Sequence, residues 1–181
     1  MAPCLHLPFQ SGSSRVLKAM NRGYPREHYL DRIARLRALV PDIVLTSDVI
    51  VGFPGETQDE FEETLSLIEQ VRYDALFTFL FSPRRGTPAE TLPDPMPPEQ
   101  KKANFQRLLA RQNEISGEKH RAYIGKVLPC LVDGVGADGR LTARTAGNRL
   151  IHLTGEAGLV GTWQRARIED ASTWALFGRV E

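Results

Sequence analysis

The stretch Asp48–Phe61, DVIVGFPGETQDEF, changes its grammar twice within a few residues. A β-branched run, the mark of a strand, stops at Gly52-Phe53-Pro54-Gly55. Thr57, followed three residues later by Glu60, then forms a capping-box signature, and Phe61, Leu65, Ile68 and Val71 recur at helical spacing. A strand that passes through a tight turn straight into a helix is the repeating unit of parallel sheets. The rest of the chain reads as the search for its neighbours.

Upstream, Leu5-His6-Leu7-Pro8-Phe9 predicts a short strand. The small polar loop Gln10-Ser11-Gly12-Ser13 and a short helix through Val16, Leu17 and Met20 follow. Pro25 sits where a first helical turn tolerates proline, and Tyr29, Leu30, Ile33 and Leu36 give the next helix an apolar face. The run Ile43 to Val51 is apolar enough to predict a strand buried on both faces, in which Asp48 is costly unless paired. Ala75 to Phe81 predicts a third strand, ending in Ser82-Pro83-Arg84-Arg85-Gly86-Thr87-Pro88. Strand, helix, strand, helix, strand is an α/β pattern with a parallel sheet.

Five prolines between Pro88 and Pro98 make a stiff, irregular boundary. Glu99 to about Tyr123 then reads as one long helix with six Lys or Arg against three Glu, the most basic element of the chain. From Gly125 the pattern becomes five short strands, Val127 to Val132, Arg140 to Thr145, Leu150 to Leu153, Thr162 to Ile168 and Trp174 to Val180, with glycines at 134, 139, 147 and 158 between them. That spacing predicts a small closed OB-like barrel. The domain reading is 1–98 for the α/β part, 99–122 for the basic helix and 123–181 for the barrel.

Composition narrows the function classes. The 181 residues carry a net charge of +1, so no polycationic field advertises nucleic acid, and such a partner must meet a local patch. The two cysteines, Cys4 and Cys130, form neither a disulfide framework nor a metal knuckle. A reducing cytoplasmic setting is the expectation, and no apolar run is long enough to span a membrane.

The loops after the three parallel strands, Gln10 to Ser13, Gly52 to Glu56 and Ser82 to Thr87, are expected to converge, because ligands of parallel sheets bind at the carboxyl ends of strands. Gly52 to Thr57 is neither a Walker loop nor a GxGxxG fingerprint. Its glycines instead suit a bare backbone laid against a flat ligand such as adenine. Asp48 is a candidate for a cationic or hydroxyl-bearing ligand, and equally for an arginine partner. His6 on an apolar strand and Cys4 are by residue type more often structural than ligating. Trp163 and Trp174 read as barrel core or rim before base-stacking platforms.

Three segments, LHLPFQSGSSRVLKAMNRGYPREHYLDRI from Leu5, SDVIVGFPGETQDEFEETL from Ser47 and FTFLFSPRRGTPAETL from Phe77, resemble the MiaB-type tRNA methylthiotransferases, which are radical S-adenosylmethionine enzymes. The last sixty residues resemble their closing TRAM module. This resemblance implies the C-terminal half of a radical SAM partial (βα) barrel followed by a TRAM RNA-binding barrel. It implies S-adenosylmethionine across the strand ends at Gln10, Ser11, Ser13, Asp48, Val51 and Phe79. Arg84, Arg85, Lys101, Lys102, Arg144 and Arg149 become candidates for substrate or RNA contacts. The implied activity adds a methylthio group to N6-isopentenyladenosine beside the anticodon, with the anticodon arm as partner. The threonylcarbamoyladenosine branch and a stand-alone tRNA-binding TRAM protein are the alternatives.

Full-length family members also hold two [4Fe-4S] clusters on cysteine triads that this sequence lacks. The resemblance therefore implies a missing N-terminal half as partner, no catalytic or metal-ligating residue of its own, and inactivity of the chain alone. A half-barrel also leaves strand edges open to pairing between two copies.

Overall fold

The computed structural model describes residues 3–181. Its elements run β1 (Cys4–His6), α1 (Ser14–Ala19), α2 (Arg26–Leu39), β2 (Val44–Val51), α3 (Gln58–Val71), β3 (Ala75–Leu80), α4 (Pro98–Arg121), then β4 (Val127–Val135), β5 (Leu141–Thr145), β6 (Leu150–Thr154), β7 (Trp163–Ala171) and β8 (Leu176–Val180). Two compact units divide within α4, one over Leu5–Gln112 and the other taking Asn113–Glu181.

In the first unit the sheet order is β1-β2-β3, and β2 and β3 are parallel, with Asp48 beside Phe77 and Ile50 beside Phe79. The capping box exists: the Thr57 hydroxyl accepts from the Glu60 amide while the Glu60 carboxylate accepts from the Thr57 amide. Those two bonds satisfy orphan donors at the start of α3. Thr57→Ala should lower the stability of this unit by about 1 kcal/mol in urea unfolding followed by far-UV circular dichroism. Pro25 stands at the N-cap of α2 rather than inside its first turn.

One sequence expectation fails here. β2 is not buried on both faces; burial alternates along it. Ser47, Val49 and Val51 point into a core with Phe9, Val16, Leu17, Ile33, Phe61, Leu67, Ile68 and Tyr73, all nearly or fully buried. Thr46, Asp48 and Ile50 point the other way and are only partly covered. On β3 the matching residues Phe77 and Phe79 are 55% and 52% exposed. Helices cover one side of the sheet and leave the other open, so the apolar run reflects core on one face and an aromatic, half-polar surface on the other.

The basic helix is likewise not a free cationic stripe. Arg107 makes a two-pronged bond to Glu62 at 2.7 and 3.1 Å, and Arg111 grips Glu69 in the same way. Those pairs join α4 to the acidic face of α3, and Gln112 reaches the buried carbonyl of Tyr73 at 3.0 Å. Two of the six cations read from the sequence are thus used in helix docking.

The second unit is a closed five-stranded barrel of order β4-β5-β6-β8-β7. Alternate residues fill its core: Cys130, Val132, Leu141, Ala143, Ile151, Leu153, Ala166, Ile168 and Leu176. Closure removes exposed strand edges, which suits so short a set of strands. Gly134, expected between strands, lies inside β4 at a register shift against β5. Trp174 falls in the turn before β8, and both tryptophans stand outside the core, 62% and 68% exposed for Trp163 and Trp174.

Candidate functional site

The open face of the three-stranded sheet carries a cavity of about 550 Å³, lined by Gln10, Asp48, Ile50, Phe79, Leu80, Phe81, Ser82, Arg84, Thr87 and Ala89. Two of the three strand-end loops reach it. Gln10 brings the first: its amide donates to the Asp48 carbonyl at 3.0 Å and its carbonyl accepts from Ile50 at 2.9 Å. Gln10 thus extends the β1 side of the sheet after the Pro8 interruption. It does so at φ +67°, outside the usual range for a residue with a Cβ. The amide of Ser11 closes the turn on the Phe9 carbonyl at 2.9 Å. This kinked passage puts Phe9 wholly into the core and leaves Gln10 at the cavity.

Asp48 reaches the cavity from β2 and has a partner, though not an arginine. Its Oδ1 lies 3.4 Å from His6 Nε2, and His6 Nδ1 is 3.0 Å from the Thr46 hydroxyl. Arg84 lines the same cavity from the third loop. A carboxylate, a guanidinium, an amide side chain and an aromatic wall can receive a mid-sized ligand carrying donors, an anionic group and a flat ring.

The remaining candidates have other surroundings. Ser11 is fully buried, 3.5 Å from the Thr64 hydroxyl, and its own Oγ accepts from the Ser13 amide at 3.2 Å. Ser13 stands at the N-cap position of α1 without a side-chain capping bond, and its hydroxyl donates to Glu60 at 3.3 Å. Val51 is fully buried on the helix side of β2. Arg85 is exposed and does not line the cavity. Lys102 is exposed beside Glu99 at 3.0 Å. Lys101 pairs with Asp94 and keeps only 12% of its side chain exposed. In the barrel, Arg144 faces Asp133 at 3.4 Å. Arg149 is nearly buried, with its guanidinium 4.8 Å from the Tyr123 ring centroid.

The second loop does something the sequence did not suggest. The bare face of Gly52, at φ +75°, is occupied by protein: a Cβ there would meet Lys101 Cδ at 2.8 Å. Its amide donates to Glu56 Oε2 at 2.7 Å. The loop is therefore closed by its own glutamate and a lysine stem, which take the space on that face of Gly52 that a flat ligand would need. Glu56 is buried, and its Oε1 has no hydrogen-bond partner among the described residues. Burial pushes this carboxyl up to about 7, against the pull of the Gly52 amide, Lys101 and Arg15. Its neighbour Glu60 is driven the other way, to about 2, chiefly by the bond from Arg15. No sequence signal marks Glu56 as buried, because a glutamate after a turn is ordinarily solvated.

Among the described residues no cluster of three or more His, Cys, Asp or Glu is placed to hold a metal ion. Cys4 and Cys130 are free, the latter in the barrel core. Thiolate ligands for an iron–sulfur cluster are thus not assembled by these residues.

Comparison with known proteins fits this geometry. Residues 3–68 match the radical SAM superfamily and residues 121–180 match the TRAM domain. One stretch of the chain is thus similar to radical SAM sequence and a later one to the TRAM domain. It is 48% identical over 97% of its length to a tRNA-2-methylthio-N(6)-dimethylallyladenosine synthase of Acetivibrio thermocellus, and 48% over 96% to that of Desulfitobacterium hafniense. The Moorella thermoacetica protein of the same name is 47% identical over 97%. The chain spans only 37%, 39% and 40% of these relatives. Among solved structures, coproporphyrinogen III oxidase from Escherichia coli, a radical SAM enzyme, aligns with a TM-score of 0.53 at 15% identity, over 97% of this chain and 45% of that one. That likeness speaks for the radical SAM fold alone. The barrel closed by β4-β5-β6-β8-β7 falls within the stretch that matches the TRAM domain.

Proposed function

We propose that the chain is the C-terminal portion of a tRNA methylthiotransferase acting on N6-isopentenyladenosine, in which the open sheet face binds S-adenosylmethionine and the TRAM barrel binds tRNA. The observation that carries this reading is collinear similarity: 48% identity along 97% of the chain to a relative bearing that name, through both units in one order. The cavity on the open face supports it. In this reading Gln10, Asp48 and Phe79 border the cofactor, with Asp48 offered to a hydroxyl or amino donor and Phe79 to a flat ring. Ser11, Ser13 and Val51 act behind the site by fixing the first loop and the strand. Bound S-adenosylmethionine supplies the methyl group and, with iron–sulfur clusters held by residues outside this chain, the radical.

Arg84 faces the substrate nucleotide from the cavity rim, with Arg85 beside it on the loop. The barrel contributes Arg144 to phosphate contacts, which position RNA without reading its sequence. Arg149 holds the barrel surface through Tyr123, and Lys102 offers a separate phosphate contact from α4. The partners are then the tRNA anticodon arm and the remainder of the enzyme, in a cytoplasmic setting. No helix among the described residues is long and apolar enough to cross a membrane.

The test is a chimera. The N-terminal portion of the Acetivibrio thermocellus relative, joined ahead of this chain, is expressed in bacteria lacking the modification, and tRNA nucleosides are analysed by mass spectrometry. The 2-methylthio derivative of isopentenyladenosine is the expected product. Methylthiolation of threonylcarbamoyladenosine instead would favour the sister branch. No product from the chimera, beside a productive intact relative, overturns the reading.

A further inference from the structure

His6 belongs to none of the groups assigned above, yet its ring is held from three sides. The Thr46 hydroxyl lies 3.0 Å from Nδ1, Asp48 Oδ1 lies 3.4 Å from Nε2, and the edge of Phe77 meets the ring at 5.7 Å between centroids and 69° between planes. The side chain nevertheless remains 43% exposed, on the sheet face that carries the cavity. An imidazole at such exposure gains little from burial and loses rotamer freedom when fixed. With Nε2–H directed at Asp48, the Thr46 hydroxyl donates to Nδ1; in the imidazolium both nitrogens donate, to Asp48 and to Thr46. In both states the ring presents a donor to one oxygen of Asp48. The other oxygen is left for the cavity, which Asp48 lines and His6 does not.

We infer that His6 is a positioning residue: held by Thr46 and Phe77, it orients the Asp48 carboxylate toward a hydroxyl or amino donor of an adenosyl ligand in the open-face cavity. The inference rests on the S-adenosylmethionine reading of that cavity. It follows the logic by which a buried or half-buried carboxylate is aimed by a neighbour, here from the adjacent strand across the β1–β2 register.

The test is calorimetric titration of the 181-residue chain with S-adenosylmethionine, on the parent and on His6→Leu, His6→Gln, Asp48→Asn and His6→Leu with Asp48→Asn. Leucine fills the space without a donor, and glutamine restores an N–H near the place of Nε2. The expected result is a loss of about tenfold in affinity for His6→Leu, the size of one hydrogen bond to a charged group. His6→Gln should bind within about threefold of the parent on the same scale. In the Asp48→Asn background the leucine substitution should cost nothing further, because the pair acts as one unit. Thermal unfolding midpoints, unchanged between the His6 variants, would show that folding is not the cause. Equal binding by parent and His6→Leu overturns the inference and leaves the cofactor site standing. An undiminished loss in the Asp48→Asn background overturns the coupling. A parent chain that binds no S-adenosylmethionine overturns the cofactor reading and this inference with it.

Discussion

Gly178→Ala should cost the barrel roughly 3 kcal/mol or more, at the upper end for overpacked sites. Gly178 sits in the middle of β8, beside Leu153 on one side and Ile168 on the other. A Cβ there would lie 2.0 Å from the Arg167 carbonyl oxygen and 2.9 Å from its carbon. Both atoms are backbone in the neighbouring strand, so no rotamer change relieves the clash. Either the β7–β8 ladder opens or the bulge between Ile168 and Asp170 moves. The only two tryptophans of the chain, Trp163 and Trp174, both lie in this unit, so their fluorescence in urea reports on the barrel alone. Gly158→Ala is the control, because nothing lies within 4 Å of its Cβ position. A Gly178→Ala midpoint no lower than that of Gly158→Ala would refute the close-approach argument.

Glu56→Gln should stabilise the first unit at alkaline pH, by about 3 kcal/mol at pH 8, and progressively less toward pH 5. The sign follows from the carboxyl's rise from 4.5 to about 7 through burial. Above pH 7 the folded chain must bury a carboxylate, and at 1.36 kcal/mol per pH unit that penalty is about 3 kcal/mol. As pH falls from about 7 toward 4.5 the folded state takes up a proton the unfolded chain does not, and the penalty disappears. Glutamine keeps an oxygen for the Gly52 amide and removes the charge. Glu60 acts in a separate window: held at about 2, its stabilisation is present above 4.5 and lost as pH falls through 2. Urea unfolding by circular dichroism between pH 5 and 8 distinguishes the outcomes. A parent chain whose stability does not decline from pH 5 to 8 relative to Glu56→Gln would show that the carboxylate is solvated.

Local grammar carried much of the architecture. The capping box of Thr57 and Glu60, the β-branched run before it, the proline connector and the five short glycine-punctuated strands each reflect interactions within a few residues, and each has its counterpart in the structure. The placement of Gln10 just after the first strand and of Asp48 within the second was legible for the same reason. What misled was any inference from residue type to surroundings. Gly52 looked like an opening for a ligand and instead receives the stem of Lys101, a residue far along the chain. The helix α4 read as the most basic element of the chain, but its Arg107 and Arg111 are matched to Glu62 and Glu69.

By itself, then, the sequence of this chain determined the order of its elements, the parallel character of its first sheet and the closed character of its last, because hydrophobic period, caps and turns act over short distances. Only the tertiary structure decided which face of β2 is covered, that Asp48 answers to His6, that Glu56 is buried without a partner for one oxygen, and that Gly178 admits no Cβ. Each of these depends on which strand or helix arrives from elsewhere in the chain, and on how closely, which no local pattern encodes.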